Sequence, residues 1–495
     1  MILGLSAGFH DAAITVLDGH GEIQFAGHSE RYSKIKNDKN IHASMLDEFN
    51  KNSITKIAYY ERPWIHNLRC LYTKEPKEIP WRLKPILNKQ LGAWATKLPS
   101  QCFPHHLSHA AAGFQTSSFD EAAIVVIDAI GEFDTISIFH AHYDKQGRAR
   151  YEKKWSRMYP HSIGLFYSAV TQQVGLKPME EEYITMGMAA FADFTHAKLT
   201  ESRLRKDYIH SVEEVVFSRN CHTGLSDDWS NDWSDENLAA GAQGLVEKLI
   251  NSVILKAWQI TKSSNLVYAG GVALNCVANR HLGRYFDNIW IMPNPGDAGS
   301  SLGAAALAYG NRIHWTSAYL GHNIPGPYPV NSLLDSLLAD GIVGVANGRA
   351  EFGPRALGNR SLLADPRGPD IKERVNKIKR RQQYRPFAPV ILEEYVQDYF
   401  MLPQSWKSTP YMQVVARCID PHSFPAIVHV DMTSRVQTVP KDSNLGIRQL
   451  LEKWYVMTGC PMLLNTSLNI RGEPMVNDRS DADRFEKLYN VRVYS

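Results

Sequence analysis

A strand–turn–strand–turn–strand pattern occurs twice in this chain and constrains its fold more than any other feature. The first copy runs through ILGLSAG, AAITVLDG and GEIQFAG, and the second through AAIVVIDAIGEFD, TISIFHAHYD and GRARYEKKWSR, which begins after Glu121. Apolar, β-branched runs separated by Gly and Asp turns are typical of paired strands. Two copies of one unit indicate an internal duplication. Chance recurrence of such units in an α/β protein is the alternative.

The later segments predict a layered α/β architecture. SNLVYAGGVALN has the pattern of a buried strand that ends in a glycine pair, and NIWIMPNPGDAGSSLGAAALAYG that of a strand, a loop and a helix. The segment TSAYLGHNIPGPYPV is rich in Pro and Gly, and a new helix and strand begin after it. We therefore predict a boundary at residues 325–335, with domains over 1–328 and 329–495.

Charge and cysteine usage exclude several classes of protein. The 495 residues carry 54 Lys+Arg and 51 Asp+Glu, a net charge of +3, which gives no reason to expect a nucleic-acid or membrane partner. The six cysteines form no CxxC pair, which excludes a zinc ribbon and suits a reducing compartment. The N-terminal segment lacks a basic n-region, and we see no apolar run of about 18–20 residues. We expect a cytoplasmic protein.

The first cluster of candidate functional residues pairs histidines with aspartates. His105 and His109 stand four apart in FPHHLSHAAAGF, a spacing that places both imidazoles on one face of a helix. Asp128 ends an apolar strand, and Asp297 lies between a strand and a helix. A mixed nitrogen and oxygen ligand set suits a divalent ion such as Fe, Mn or Zn. Capping or core histidines are the alternative interpretation.

Two glycine-rich loops form a second cluster. Gly270 and Gly271 follow a strand directly, where a nucleotide can approach the backbone closely. Gly296, Gly299 and Ser300 open a helix whose N-terminal amides can receive phosphate oxygens. Either loop alone is also compatible with an ordinary turn. Their proximity to a candidate metal ligand favours a nucleotide site.

A third cluster of cationic and polar residues lies in the C-terminal part. Its members are Arg355, Arg360, Lys379, Arg381, Arg385, Arg435, Asn465, Ser467 and Arg471. They stand among apolar and turn residues and do not form one exposed basic block. Because arginine binds phosphate and carboxylate oxygens bidentately, this pattern favours a small polyanionic substrate. Structural ion pairs and nucleic-acid contacts are the alternatives.

Several of these segments resemble one known family. GFHDAA, HHLSHAAAGF, PHSIGLFYSAVT, GGVALN, PGDAGSSLGAA, EFGPRALGNRS, RPFAPV, RVQTV and NTSLN occur in the order found in the NodU/CmcH O-carbamoyltransferases, and together they cover nearly the whole chain. The resemblance implies an α/β fold in which a duplicated ASKHA domain of the Kae1-like kind is followed by a smaller YrdC-like domain. It also implies an enzyme that forms carbamoyl adenylate from ATP and carbamoyl phosphate, releases pyrophosphate, and transfers the carbamoyl group to a hydroxyl.

The resemblance assigns roles to residues at matching positions. His105, His109, Asp128 and Asp297 would bind a divalent metal, with Fe²⁺ favoured over Mn²⁺ or Zn²⁺, and Mg²⁺ would accompany ATP. The nucleotide pocket would be lined by Gly270, Gly271, Asn275, Gly299 and Ser300. Carbamoyl phosphate would be bound by Arg355, Lys379, Arg385, Arg435, Asn465 and Ser467, of which Arg355, Lys379 and Arg435 would also stabilise charge during catalysis.

The acceptor site is the least defined part of this interpretation. His10 in GFHD is a candidate base for the acceptor hydroxyl, or a turn histidine that bonds only to backbone. Glu30, Arg31, Lys34 and Lys36 are further candidates for contact with a small-molecule acceptor. We also consider a homodimer. The alternatives to the carbamoyltransferase are a threonylcarbamoyladenosine-type tRNA-modifying enzyme, a non-catalytic protein that binds ATP or carbamoyl phosphate, and a sugar kinase.

Overall fold

Two α/β units make up the part of the chain that the computed structural model describes. The described residues are 1–75, 79–226, 234–382, 385 and 387–495. The first unit comprises residues 1–9, 15–23 and 52–315. The second comprises residues 10–14, 24–51 and 316–495.

The first part of the chain supplies the strands β1 (Ile2–Ser6), β2 (Ala13–Leu17), β3 (Ile23–His28), β4 (Lys56–Tyr59), β5 (Ser100–Cys102), β6 (Glu121–Gly131), β7 (Asp134–Tyr143), β8 (Ala149–Met158), β9 (Ile209–Ser211), β10 (Val216–Phe217), β11 (Asn265–Ala269) and β12 (Asn288–Trp290). Its helices are α1 (Glu30–Ser33), α2 (Pro63–Thr73), α3 (Leu83–Leu91), α4 (His105–Phe114), α5 (Ile163–Gln173), α6 (Glu182–Met188), α7 (Phe194–Tyr208), α8 (Asp235–Thr261) and α9 (Ser300–Tyr309). The predicted strands of both copies, the helix within FPHHLSHAAAGF and the helix after NPGDAG are confirmed.

Two five-stranded sheets have the same internal order. One runs β3-β2-β1-β4-β5 and the other β12-β11-β6-β7-β8. If the five strands of each sheet are numbered in chain order, both sheets have the order 3-2-1-4-5. The first is read from β3 to β5 and the second from β8 to β12. In each sheet the central strand pairs in parallel with a later strand, β1 with β4 and β6 with β11. The long strands β6, β7 and β8 form an antiparallel meander, as their short polar turns require.

Helices α4 and α9 pack at backbone distance because a glycine lies at their contact. A Cβ atom on Gly303 of α9 would lie 1.8 Å from the Ser108 carbonyl oxygen of α4. Similarly, a Cβ atom on Gly4 of β1 would lie 1.9 Å from the Ser301 carbonyl oxygen. These contacts fix α9 against both a neighbouring helix and a strand.

Helix α8 contradicts the prediction that the chain contains no apolar run long enough to span a membrane. This helix of 27 residues could cross a membrane by its length and composition. However, 61% of its apolar 18-residue stretch is buried inside the protein. That degree of burial is typical of a core helix. Among the described residues, no other helix passes the same test.

The second part of the chain contains the strands β13 (Tyr319–Ile324), β14 (Ile342–Ala346), β15 (Gly348–Glu351), β16 (Arg360–Ala364), β17 (Ala388–Leu392), β18 (Phe400–Met401), β19 (Val415–Cys418), β20 (Thr433–Arg435), β21 (Gln437–Val439), β22 (Met462–Ser467) and β23 (Val493–Tyr494). Its helices are α10 (Val330–Asp340), α11 (Ile371–Ile378), α12 (Val396–Tyr399), α13 (Gly446–Thr458) and α14 (Arg479–Tyr489). The main sheet has the order β21-β17-β22-β16-β14-β23. Its successive residues Leu362 and Leu363 belong to separate apolar clusters, so both faces of the sheet are covered.

The division between the units differs from the boundary predicted at residues 325–335. The last change of unit along the chain falls between Trp315 and Thr316, and residues 10–14 and 24–51 also belong to the second unit. The reason is that β13 pairs antiparallel with β15, which ties residues 319–324 to the later part of the chain. The Pro- and Gly-rich composition marked the loop after β13, and a sequence pattern cannot show the long-range pairing that assigns the strand itself.

We predict that Gly303→Ala destabilises the protein by about 1–3 kcal/mol, because the added methyl group would force α4 and α9 apart. The measurement is the thermal unfolding midpoint. Gly187→Ala in α6 is the matched control, since a Cβ atom there meets nothing within 4 Å. An unchanged midpoint in Gly303→Ala would contradict the close packing.

Candidate functional site

Two histidines of helix α4 point their Nε2 atoms at each other. His105 and His109 lie four residues apart, and their Nε2 atoms are 3.0 Å apart. Their side chains are 3% and 1% exposed. At this separation only one proton can occupy the space between the two nitrogens, so at least one of them presents a lone pair.

Two carboxylates complete the cluster. Asp128 Oδ2 is 3.3 Å from His105 Nε2 and 3.1 Å from His109 Nε2. Asp297 Oδ1 is 3.3 Å from both nitrogens. The structure therefore brings the four predicted metal ligands together, with one candidate ligand atom from each residue and all four atoms within 4.8 Å of one another.

Close backbone packing positions the two aspartates. Asp128 follows the buried run of β6, and Asp297 begins a short 3-10 turn just before α9. Gly270 has φ +89°, and a Cβ atom there would lie 2.2 Å from the Ile127 carbonyl oxygen. A Cβ atom on Gly271 would lie 3.2 Å from Asp128 Oδ1. Only a glycine fits at position 270, which allows the loop after β11 to approach Asp128.

The second ring nitrogen of each histidine has a different environment. His109 Nδ1 donates to the Pro295 carbonyl oxygen at 3.0 Å, which leaves its Nε2 free to act as a ligand. His105 Nδ1 faces Glu61 Oε2 at 3.7 Å, and Glu61 also contacts His66 Nδ1 at 3.2 Å. Sequence reasoning missed Glu61. Its signal was a charged residue directly after the apolar strand KIAYY.

The pKa shifts show how strongly the four groups interact. Burial by itself lowers the pKa of His105, but Asp297, Asp128 and Glu61 together raise it well above its usual value. Burial raises the pKa of Asp128, and its contacts with His105 and His109 outweigh that effect and hold it well below its usual value. Despite its own burial, Glu61 has a pKa lowered to about 2 by His66 and His105. Asp128 and Glu61 are therefore ionised.

These residues fit a divalent metal ion. Two carboxylates and two imidazoles are a standard nitrogen and oxygen ligand set, and their burial excludes bulk water from the cluster. Without a cation, protons on the imidazoles offset the carboxylates, and a metal ion would replace those protons. Fe, Mn and Zn all accept this ligand set.

Of the predicted nucleotide-binding residues, Ser300 and Gly271 lie against the candidate metal ligands, and Asn275 and Gly299 make other contacts. Ser300 is fully buried, and its Oγ lies 3.1 Å from His109 Nδ1. Asn275 exchanges two hydrogen bonds of 3.1 Å with the Gln243 side chain of α8. Gly299 is required by packing, because a Cβ atom would lie 1.8 Å from the Asn294 carbonyl oxygen. Gly271 is the predicted residue that lies against a ligand carboxylate.

In the second unit, the Nζ atom of Lys379 donates hydrogen bonds to oxygen atoms of the protein itself. It donates to the Ser467 carbonyl oxygen at 2.5 Å and to the Asn469 carbonyl oxygen at 2.8 Å. Two side-chain oxygens of the same residues lie at 3.2 and 3.0 Å. An ammonium has three donors, so these contacts use the donors that a bond to carbamoyl phosphate would need. Burial, Arg381 and Arg385 lower the pKa of Lys379 well below its usual value.

Asn465 lies on the same face of β22 as Ser467, two residues away. Its Nδ2 donates to the Gln437 Oε1 at 2.7 Å and to the Ala356 carbonyl oxygen at 3.1 Å. Its buried Oδ1 has no hydrogen-bond partner among the described residues. Sequence reasoning missed Gln437 and Asn469, because a lone amide in a strand has no signal by itself.

The predicted arginines occupy separate positions. Arg435 ends β20, and its buried Nε has no hydrogen-bond partner in the described part of the chain. Arg355 is half-buried and directly precedes Ala356, which Asn465 contacts. The half-buried Arg385 accepts a bond from Asn376 Nδ2 through its carbonyl oxygen, and Pro386 beside it in RPFAPV lies outside the described residues.

The candidate acceptor residues contact other parts of the second unit. His10 Nδ1 is 2.9 Å from Asp11 Oδ2. Arg31 is 3% exposed and donates to the Gly353 carbonyl oxygen at 2.9 Å, and Lys34 pairs with Asp481. Glu30 Oε2 accepts from the Asn37 amide at 3.0 Å. Lys36 is half-buried. Lys34 is thus engaged within the fold, whereas Arg31 uses Nη2 and keeps its buried Nε and Nη1 without a hydrogen-bond partner among the described residues.

We predict that the protein binds one divalent ion and that Asp128→Asn weakens the binding by at least about tenfold, since the substitution removes a ligand charge. Metal content after dialysis against a chelator, measured by mass spectrometry, checks this. Asp134→Asn, which removes a surface carboxylate paired with Lys153, is the control and should retain the metal. Wild-type affinity in Asp128→Asn would contradict the assignment.

Comparison with known proteins covers both parts of the chain. Residues 83–306 match the family described as Carbamoyltransferase N-terminus, and residues 334–494 match Carbamoyltransferase C-terminus. The four candidate metal ligands lie in the first range. The C-terminal cationic residues lie in the second.

Individual relatives match over most of their length. An uncharacterized protein of Synechocystis is 33% identical over 98% of this chain and 93% of its own. The nodulation protein NolNO of Sinorhizobium fredii is 31% identical over 96% of this chain and 76% of its own.

Among solved structures, full-length HypF in a phosphate- and nucleotide-bound form is 16% identical and covers 62% of this chain and 46% of its own. Its TM-score of 0.33 is too low for a conclusion about fold or ligand. From the family matches and the extent of these alignments, the chain belongs to the carbamoyltransferase family that includes the nodulation proteins NodU and NolO.

Proposed function

We propose that this carbamoyltransferase forms carbamoyl adenylate from ATP and carbamoyl phosphate and transfers the carbamoyl group to the hydroxyl of a small molecule. The observation that carries the proposal is the buried cluster of His105, His109, Asp128 and Asp297 within the range matched by the N-terminal family. Such a cluster is suited to a divalent ion beside nucleotide phosphates.

The proposed fold assignment is a duplicated ASKHA domain of the Kae1-like kind, predicted over residues 1–328, followed by a YrdC-like domain, predicted over 329–495. The strand β13 (Tyr319–Ile324) groups with the second of these. The shared 3-2-1-4-5 order of the two five-stranded sheets supports the duplication. The mixed six-stranded sheet of residues 342–494 supports a separate α/β domain.

The residues of the C-terminal range would make the adenylate. Arg435 and Asn465 each have a buried polar atom without a hydrogen-bond partner among the described residues, and these atoms are suited to carbamoyl phosphate. Arg355 and Arg385 would add charge complementary to the phosphate oxygens. Water would first cleave the bond between the carbamoyl oxygen and the phosphorus of carbamoyl phosphate, releasing inorganic phosphate and carbamate. The carbamate oxygen would then form a bond to the α-phosphorus of ATP, the bond from that phosphorus to the oxygen of pyrophosphate would break, and the cations would offset the charge that develops.

The second step would transfer the carbamoyl group. When bound, a divalent ion supplies Lewis acidity toward phosphate and carbonyl oxygens. The acceptor oxygen would form a bond to the carbamoyl carbon, the bond from that carbon to the phosphate oxygen would break, and AMP would leave. His10 is the proposed base, because Asp11 at its Nδ1 favours the tautomer whose Nε2 accepts a proton.

The remaining parts of the proposal concern surroundings and cofactors. We propose Fe²⁺ as the metal, with Mn²⁺ and Zn²⁺ as alternatives, and Mg²⁺ with ATP. A cytoplasmic location, a small-molecule acceptor, a homodimer and the absence of membrane and nucleic-acid partners also belong to the proposal. The near-neutral charge of +3 supports the last point.

The test of the adenylate step is pyrophosphate release from ATP in the presence of Fe²⁺ and Mg²⁺ and without an acceptor. We expect release that depends on carbamoyl phosphate and is accompanied by AMP formation on hydrolysis of the adenylate. Formation of ADP would favour a kinase. If pyrophosphate release is equal with and without carbamoyl phosphate, the adenylate proposal is wrong.

We predict that Arg435→Ala raises the KM for carbamoyl phosphate by the equivalent of about 1.5–3 kcal/mol, the range for a lost charged hydrogen bond. Steady-state kinetics of pyrophosphate release measure the change. Arg417→Ala is the matched control, because Arg417 is exposed on the neighbouring strand β19. Equal KM values for the wild type and Arg435→Ala would remove Arg435 from the site.

A further inference from the structure

The loop of residues 353–359, here called the arginine loop because it carries Arg355, is held through its backbone by buried side chains. Five polar side chains from elsewhere in the chain and that of Arg360, which directly follows the loop, donate to its carbonyl groups, and a carboxylate and a hydroxyl accept from its amides. Loops usually run over the surface and satisfy their backbone groups with water. Here the backbone is fixed by the protein itself.

A single carboxylate oxygen fixes one end of the loop. Glu351 Oε1 accepts from the amides of Leu357 at 2.8 Å and Asn359 at 2.9 Å. It also lies 3.2 Å from the amide of Arg360, which begins β16. Glu351 is 2% exposed, so this charge is retained in the interior at the cost of its hydration. Three amides around one anion resemble the backbone nests that bind anions.

The carbonyl groups are fixed by a separate set of donors. The donor and acceptor pairs are Arg31 Nη2 to Gly353 at 2.9 Å, Asn465 Nδ2 to Ala356 at 3.1 Å, Gln437 Nε2 to Leu357 at 2.9 Å, Tyr319 Oη to Leu357 at 2.8 Å and Tyr328 Oη to Gly358 at 2.8 Å. Two of these donors, Asn465 and Arg31, are residues for which the sequence indicated contact with a ligand. Their contacts with the arginine loop give them a role in shaping it.

Arg360 secures the strand that follows. It is fully buried, and its guanidinium donates to the carbonyl oxygens of His322, Asn347, Gly348, Asn359 and Asn477 at 2.8–3.1 Å. All of these acceptors are backbone atoms of the second unit. Arg360 is therefore a structural cation, and Arg355 is the arginine of EFGPRALGNRS that the loop leaves half-buried at its turn.

We propose that Glu351 is a positioning residue that presents Arg355 to carbamoyl phosphate by fixing the backbone of the arginine loop. This inference rests on the proposed function. The physical reason is that a charged side chain binds an anion tightly only when its backbone is held in place before binding. Three amide bonds to one ionised oxygen are stronger than bonds to a neutral acceptor, and they hold the segment that directly follows Arg355.

The test compares Glu351→Ala and Glu351→Gln in the intact protein. Glu351→Ala should raise the KM for carbamoyl phosphate by about tenfold to a hundredfold, the factor for a lost charged hydrogen bond, with the KM for ATP changed by less than about threefold. Glu351→Gln keeps a neutral acceptor of the same length and should restore part of the loss. Calorimetric titration with inorganic phosphate should show the same order of affinities without requiring turnover.

Glu394→Gln is the matched control. Glu394 pairs with the buried Arg448 at 2.7 Å in the same unit and does not contact the arginine loop. This variant should lower the unfolding midpoint without changing the KM for carbamoyl phosphate. If Glu351→Gln, or a folded Glu351→Ala, lowers the unfolding midpoint but keeps the wild-type KM and phosphate affinity, Glu351 is only structural and the inference is wrong.

The two proposals fail in distinguishable ways. If the wild type releases no pyrophosphate in response to carbamoyl phosphate, the proposed function fails, and the phosphate titration still decides whether Glu351 positions an anion site. If the wild type responds and the Glu351 variants match it in KM, only the positioning role fails.

Discussion

The burial of two carboxyl groups, Asp128 and Asp297, is the constraint on which the first unit depends. Ionised carboxylates in the interior require compensation, and His105 and His109 supply it at 3.1–3.3 Å. That geometry requires α4 and the turn before α9 to approach closely. The glycine contacts at Gly303 and Gly270 make the approach sterically allowed. The backbone packing and the electrostatics of the cluster are therefore parts of one arrangement.

The second unit contains cations in two different situations. Lys379 and Arg360 are buried, and their donors are used by oxygen atoms of the protein. Arg435 keeps a buried Nε without a hydrogen-bond partner among the described residues. Buried polar groups are normally hydrogen-bonded, so a buried donor without a partner is the feature that points to a ligand. Cationic character alone does not distinguish these residues, whereas their hydrogen bonds do.

Local patterns predicted much of the first unit. The i,i+4 spacing of His105 and His109 requires only a helix, and α4 forms there. Asp128 and Asp297 stood at ends of predicted strands, and the structure brings both to the histidines. The convergence itself was expected only as a hypothesis, since two residues at the ends of different strands can lie far apart.

What the sequence did not show depends on long-range contacts. Glu61 reaches His105 across a separation of 44 residues (105 − 61), and no local pattern marks that contact. The pairing of β13 with β15 places β13 in the second unit, and this pairing joins residues that are distant in the sequence. Glu351 and Gln437 bind the backbone of the arginine loop, and tertiary packing sets those hydrogen bonds. Lys379 had the composition of a phosphate ligand, and only its four oxygen neighbours in the fold reveal another use of its charge.

X-ray absorption spectroscopy at the edge of the bound metal tests the central claim most directly, because it reports the ligand atoms whatever the reaction. The cluster predicts a first shell of nitrogen and oxygen only, at about 2.0–2.2 Å, with the outer-shell scattering of two imidazoles. Asp128→Asn and His109→Ala should each change that shell. A sulfur scatterer at about 2.3 Å, or a metal whose spectrum is the same in the wild type and both variants, would contradict the assignment of these four residues as the metal site.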